Sequence, residues 1–157
     1  MTASQWLLGF HVLGAFLFVS GAVAAGLLHA LAMACHGPGE IALLLRLTRV
    51  GVAVNAVGSL LSLGLGIWLV EHLPGYDFGD AWIAASLALF GASLVPAAIG
   101  GRSMRHARLL AERLAAVGAG RSEELRRRLA DPLPLALNYL SLAMVVAILA
   151  LMVWKPA

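Results

Sequence analysis

The sequence predicts an all-α integral membrane protein, a four-transmembrane-helix bundle with a basic amphipathic cytoplasmic segment between helices 3 and 4. Two observations predict this class. Of the 157 residues, 61% are hydrophobic and only 12% are charged, whereas soluble domains carry roughly 25% charged residues. In addition, four stretches reach the length of about 20 apolar residues that a helix needs to cross a bilayer. We expect a single membrane domain over residues 1–157.

Helix-breaking residues bound the four predicted spans, which cover about residues 6–34, 50–70, 81–101 and 133–154. Gly and Pro in HGPGE at 36–40 end the first span, and the polar loop LPGYDFGD at 73–80 separates the second from the third. Asp131 and Pro132 form an N-cap followed by Pro at the first helical position, which predicts the start of the fourth span.

The basic residues predict the orientation of the chain. Of the 11 basic residues, all but Lys155 are arginines that lie between spans one and two or between spans three and four. Because basic residues collect on the cytoplasmic side, we expect both basic loops to face the cytoplasm and both termini to lie outside it. The pI near 9.8 therefore follows from orientation, and no nucleic-acid partner is expected. Interfacial tryptophans at the outer end of each span agree, namely Trp6, Trp68, Trp82 and Trp154.

The segment between spans three and four, residues 102–130, has apolar residues at helical spacing with arginines opposite them. The sequence GAG at 118–120 should break this helix, and Ser122 should begin a second, short one. Two uses fit the pattern: contact with anionic lipid headgroups, which we favour, or docking of a partner protein. The headgroup contacts would come from Arg102, Arg105, Arg108, Arg113, Arg126, Arg127 and Arg128.

Few polar residues lie inside the spans. No Asp, Glu, Lys or Arg lies deep in any of them, which argues against a transporter built on membrane carboxylates. His29, Asn55 and Asn138 each lie about five residues from the cytoplasmic boundary on three different helices, which predicts one interhelical polar layer. The alternative use of this layer is one wall of a ligand or metal site.

Small residues indicate where the helices pack closely. The second span has Gly58, Ser62 and Gly66 at intervals of four residues. Small side chains at this spacing let two helices approach each other. We therefore expect a packing face on the second span.

Two histidine positions could hold a metal or a cofactor. His11 lies about two turns from the outer surface and shares a helix face with His29, but the two are about 27 Å apart along the axis and cannot hold one metal or haem together. Near the end of the first span, His29, Met33 and His36 form an i, i+4, i+7 row whose nitrogen and sulfur ligands suit Cu(I).

A family resemblance rests on FHVLGAFLFVSGAV near the start, four spans, a basic loop before the last span and the closing LMVWKP. With these features the chain resembles a family of uncharacterised bacterial integral membrane proteins, loosely grouped with the copper-resistance-D type and the HemJ type of protoporphyrinogen oxidase. The resemblance covers nearly the whole chain and implies a bacterial inner membrane protein, in which both termini would lie on the periplasmic side. It implies that His11, followed by Gly14 and Gly21, binds haem b or copper. HemJ-type proteins add an intramembrane lysine, which no predicted span of this chain contains.

Three classes of function follow from these observations. The first is a non-enzymatic membrane component: an accessory subunit, a scaffold or a permeation component that forms homo-oligomers or joins another membrane protein. The second is a haem or copper binder with His11 as ligand, and the third is a haem-dependent membrane oxidoreductase. The spans contain no evident nucleophile–base pair, phosphate loop or paired carboxylate. The sequence therefore favours the first class, then the second, and assigns no catalytic residue.

Overall fold

A computed structural model describes residues 3–155 of the chain. Within this range five helices follow one another: α1 (Ala3–Ala34), α2 (Pro38–His72), α3 (Ala81–Ala116), α4 (Glu123–Leu129) and α5 (Pro132–Trp154). Four segments of this range are long and apolar enough to cross a membrane, namely α1, α2, α3 and the stretch Glu123–Trp154 that contains α5. The predicted all-helical class with four candidate spans is confirmed.

Local sequence signals explain where the helices begin and end. Residues 73–80 form the whole connection between α2 and α3, as predicted. Ser122 and Asp131 cap α4 and α5, each by accepting a hydrogen bond from a backbone amide of the first turn. After the end of α3, Gly118 adopts a φ of +64°, which is the left-handed conformation that glycine tolerates best.

The first three long helices are longer than a bilayer requires. With 32, 35 and 36 residues, they reach about 48 to 54 Å at 1.5 Å per residue. The hydrocarbon core of a bilayer is only about 30 Å thick. Much of the excess lies at the end of the bundle that carries the arginines, which we term the basic cap and define as residues 30–49 and 102–130.

The basic cap contains the hydrophobic core of the molecule. Its centre is a cluster of buried side chains from four helices, namely Ala32, Ile41, Ala42, Leu45, Ala107, Ala111, Leu125 and Leu129. The largest fully buried side chains, those of Ile41, Leu45 and Leu125, all belong to it. Segment 102–130 therefore turns its apolar residues inward. Its amphipathic pattern reflects packing within the chain, and this apolar face is not free to lie on lipid.

The long helices pack mainly in two pairs. α1 packs along α2, α3 packs along α5, and contacts between α2 and α3 join the pairs. In the most apolar 18 residues of each candidate span, only 11% to 28% are buried within the protein. Many side chains of the spans, such as those of Phe16, Leu60 and Val146, are exposed, so something outside the protein must cover them. Lipid tails are suitable surroundings because they are as apolar as these side chains.

Candidate functional site

The backbones of α1 and α2 touch along one antiparallel seam. We define this glycine seam as Gly14, Gly21, Gly51 and Gly58. A Cβ atom on Gly58 would collide with the backbone nitrogen of Phe18 on α1, whereas a Cβ on Gly64, on the same helix, would meet open space. Such close approach depends on the missing side chains. The predicted packing face on the second span is confirmed at Gly58.

His11 lies in the same seam and links the two helices. Its Nδ1 lies 2.9 Å from the backbone oxygen of Ser62 and must carry the proton, because a carbonyl oxygen can only accept. A Cβ on Gly66 would lie 3.0 Å from Cε1 of the ring. In this tautomer Nε2 keeps the lone pair that a metal or haem iron needs. A porphyrin does not fit between α1 and α2 at the glycine seam, because the two backbones touch there.

Asn55 also takes part in the contact between α1 and α2. Its Nδ2 donates a hydrogen bond of 2.7 Å to the backbone oxygen of Phe18, and its backbone lies against Gly21. His29 lies eight residues beyond Gly21, which is about 12 Å further along α1. The structure therefore sets Asn55 apart from His29, with which the sequence groups it in one polar layer.

His29 and Asn138 come together where the spans meet the basic cap. Both line a cavity of about 10 Å³, together with Ser103 of α3 and Arg128 of α4. The His29 side chain is only 7% exposed, and within residues 3–155 neither of its ring nitrogens has a hydrogen-bond partner. The backbone oxygen of Leu129 lies near the ring but outside hydrogen-bond geometry.

A glycine on α3 allows Asn138 to occupy this position. Oδ1 of Asn138 lies where a Cβ on Gly100 would be, so α3 and α5 approach closely at this level. One turn further along α5, Ser141 donates a hydrogen bond of 3.4 Å to the backbone oxygen of Ser93. Sequence reasoning missed Gly100 and Ser103 as neighbours of His29. Their spacing of three residues puts them on one face of α3, but only packing shows that this face turns towards α1 and α5.

The helix that carries the predicted copper ligands ends before the third of them. α1 stops at Ala34, so His36 lies outside it and is exposed. Met33 packs against the core of the basic cap, while His29 lines the cavity. Over the described part of the chain, no three His, Cys, Asp or Glu side chains come together in an arrangement suited to a metal ion.

The other buried polar side chains bond to their own helices. Thr48, Ser86 and Ser93 each donate to a backbone oxygen three or four residues earlier, at 3.0, 2.7 and 2.7 Å. Such bonds give each hydroxyl proton an acceptor within its own helix. In the described residues, the atoms of His29 are the only buried side-chain nitrogens or oxygens without a partner.

The predicted headgroup arginines cover the outside of the basic cap. Arg102, Arg105, Arg113 and Arg127 are exposed, and Arg126 is half-buried. Three arginines of this segment pair with nearby glutamates: Arg108 with Glu112 at 2.8 Å, Arg128 with Glu124 at 3.0 Å and Arg121 with Glu123 at 3.4 Å. Among the predicted headgroup residues, Arg102, Arg105, Arg113 and Arg127 are therefore exposed and take part in none of these pairs.

The opposite end of the bundle is aromatic. Nζ of Lys155 donates to the hydroxyl of Tyr76 at 3.0 Å and lies 5.6 Å from the centre of the Trp82 ring. The Trp68 ring stacks on that of His72 with their centres 4.2 Å apart. Aromatic rings at helix ends are typical of a membrane–water interface. The two ends of the molecule therefore differ, since one carries the arginines and the other carries aromatic rings beside Lys155.

These features define an integral membrane protein with four candidate spans, in which His11, Asn55 and Ser141 join neighbouring helices. The chain belongs to the family described as "Predicted integral membrane protein (DUF2269)", whose model matches residues 5–156. This confirms the predicted membership of a family of integral membrane proteins of unknown function. No curated protein and no solved structure matches the chain.

Proposed function

We propose that the protein is a non-enzymatic accessory or scaffold component of the bacterial cytoplasmic membrane. It crosses this membrane four times, with both termini on the periplasmic side and the basic cap in the cytoplasm. The charge distribution supports this orientation, because every arginine of the chain belongs to the cap and basic residues favour the cytoplasmic side.

One observation carries the non-enzymatic role: the polar side chains beside the glycine seam form hydrogen bonds to the neighbouring helix. His11 donates to Ser62, and Asn55 donates to Phe18. A site for acyl or phosphoryl transfer would instead need a nucleophile, a base and a charge-stabilising donor around one reacting atom. The exposed lateral faces and the cap are then the surfaces that meet a second copy of the chain or another membrane protein.

A haem or copper protein with His11 as ligand is the second candidate, and the lone pair on Nε2 of His11 favours it. The test is an absorption spectrum of protein purified in mild detergent, oxidised and reduced, with metal analysis of the same sample. From cells supplied with haem and copper, we expect no Soret band and no stoichiometric copper. A Soret band that is lost in His11→Ala but kept in His72→Ala would replace the scaffold role with a haem protein.

Reporter fusions test the orientation. Alkaline phosphatase, which is active only outside the cytoplasm, is either fused to the C-terminus or inserted at Gly120 between α3 and α4. We expect activity from the C-terminal fusion and none from the insertion. The reverse pattern would put the basic cap on the periplasmic side and overturn the proposed orientation.

We propose that the exposed arginines of the cap contact anionic lipid headgroups, as juxtamembrane basic segments do. The melting temperature is measured in nanodiscs of phosphatidylglycerol and of phosphatidylcholine. We expect a higher value in phosphatidylglycerol, and a smaller difference when Arg102, Arg105 and Arg113 are all replaced by Gln. Arg121→Gln is the control, because this side chain already pairs with Glu123. Equal melting temperatures of the unmodified protein in both lipids would contradict the contact.

A further inference from the structure

The cavity beside His29 has the size of a site for one small molecule. It lies between α1, α3, α4 and α5, with His29 and Asn138 in its wall. Its volume of about 10 Å³ is close to the smallest space that accommodates one water molecule. We propose that this cavity binds a single water molecule, held between His29 and Asn138.

The chemistry of the wall calls for a ligand that both donates and accepts hydrogen bonds. A neutral imidazole presents one N–H donor and one lone pair, and a carboxamide presents an oxygen acceptor and an NH₂ donor. Within residues 3–155 both ring nitrogens of His29 are buried without a partner. Leaving such groups unpaired is unfavourable. Buried waters typically bond to polar groups of this kind.

Asn138 is held in position to take part. Its Oδ1 lies against Gly100, where no side chain stands in its way. The carboxamide therefore reaches the cavity from α5 while His29 reaches it from α1. One water molecule can accept from the N–H of one group and donate to the acceptor of the other.

Other ligands of this size fit the wall less well. A cation would lie near Arg128 and would find no carboxylate among the described residues that line the cavity. An anion would gain little from Arg128, whose guanidinium is paired with Glu124 at 3.0 Å. An apolar molecule would leave the nitrogens of His29 unpaired. Water alone matches both the volume and the hydrogen-bonding groups.

The water molecule joins parts of the bundle that pack with different partners. α1 packs along α2, and α5 packs along α3, but His29 and Asn138 bring α1 and α5 to one point. Leu129 of α4 also lines the cavity, so the site borders the basic cap. Through this water, the cap is tied to the spans beneath it.

Nuclear magnetic resonance tests the site in the full chain reconstituted in lipid. The histidine rings are labelled with ¹⁵N, and the His29 signals are identified by their disappearance in His29→Leu. We expect magnetisation transfer to the His29 nitrogens from a slowly exchanging water molecule. His36, which is exposed, is the internal reference for contact with bulk water. If the His29 nitrogens receive no transfer from water, the proposal is overturned.

A double-mutant cycle gives a second readout. We expect His29→Leu and Asn138→Leu each to lower the folding equilibrium constant roughly three- to tenfold. The double variant should be no worse than the more damaging single one, because either change breaks the same bridge. The control is Asn55→Leu on α2. Asn55 contacts Gly21, which lies about 12 Å from His29 along α1, so the free-energy effects of Asn55→Leu and His29→Leu should add. A more stable His29→Leu protein would mean that no water pairs with this ring.

Discussion

Nδ1 of His11 on α1 lies 2.9 Å from the backbone oxygen of Ser62 on α2. The residue to which the sequence assigns a ligand role is therefore also an interhelical contact. Hydrogen bonds between helices in lipid contribute about 0.6 kcal/mol on average and up to about 1.7 kcal/mol. A structural role for His11 can thus be measured separately from any chemical role.

Replacing His11 by Leu should destabilise the protein by about 0.6 to 1.7 kcal/mol, because the bond to Ser62 is lost. His11→Asn should recover part of this loss, since its side-chain NH₂ can donate from a position similar to that of Nδ1. Thermal unfolding in detergent checks both variants. If Leu and Asn have equal effects, the bond to Ser62 contributes nothing.

Replacing Gly58 by Ala should separate α1 from α2. Its Cβ would collide with the backbone nitrogen of Phe18, and backbone cannot move aside as a flexible side chain can. Overpacking of this kind costs about 1 to 3 kcal/mol. The control is Gly64→Ala on the same helix, where the new Cβ meets open space. Both are compared by melting temperature in detergent, and equal values would mean that the glycine seam is wrong.

Replacing Leu125 by Ala should open the core of the basic cap. This side chain is fully buried, and loss of a buried Leu typically costs about 2 to 5 kcal/mol. The control is Val117→Ala, because Val117 is 78% exposed. Hydrogen exchange of the α4 amides in neutral detergent gives the readout. We expect protection in the unmodified protein and loss of it in Leu125→Ala only.

The same experiment distinguishes a packed cap from a helix that lies on lipid. A lipid-bound segment would be protected only when anionic lipid is present. It would also respond little to Leu125→Ala. Protection of α4 that depends on anionic lipid would therefore contradict the packed core.

The helix ends were predictable because their signals are local. Pro132 and the caps Ser122 and Asp131 act within one turn of the chain, and the structure has helices beginning at these points. The apolar stripe of segment 102–130 was predictable for the same reason. Its partner was not, because Ile41 and Leu45 lie on a different helix and nothing local links them to α4.

The rotation of each helix about its axis was harder to predict. α1 and α2 are apolar on all sides, so no polar stripe indicates which face is buried. His29 and Asn55 lie at similar depths by counting residues from the span ends, and the sequence therefore groups them. The close packing at the glycine seam sets the rotation of these two helices. It brings Asn55 within hydrogen-bond distance of the backbone oxygen of Phe18, while His29 faces a cavity bordered by α3, α4 and α5.

Replacing Gly100 by Ala should displace Asn138, because the new Cβ would occupy the position of its Oδ1. The obstacle is the end of a side chain, which can rotate away, so we expect a smaller loss than for Gly58→Ala, about 1 kcal/mol. The neighbouring Gly101→Ala is the control, since its Cβ would meet open space. Melting temperature gives the stability difference. Cysteine cross-linking between positions 93 and 141, whose residues Ser93 and Ser141 are hydrogen-bonded across the two helices, reports whether α3 and α5 have moved apart. Unchanged cross-linking with an unchanged melting temperature would show that this close approach does not hold the two helices together.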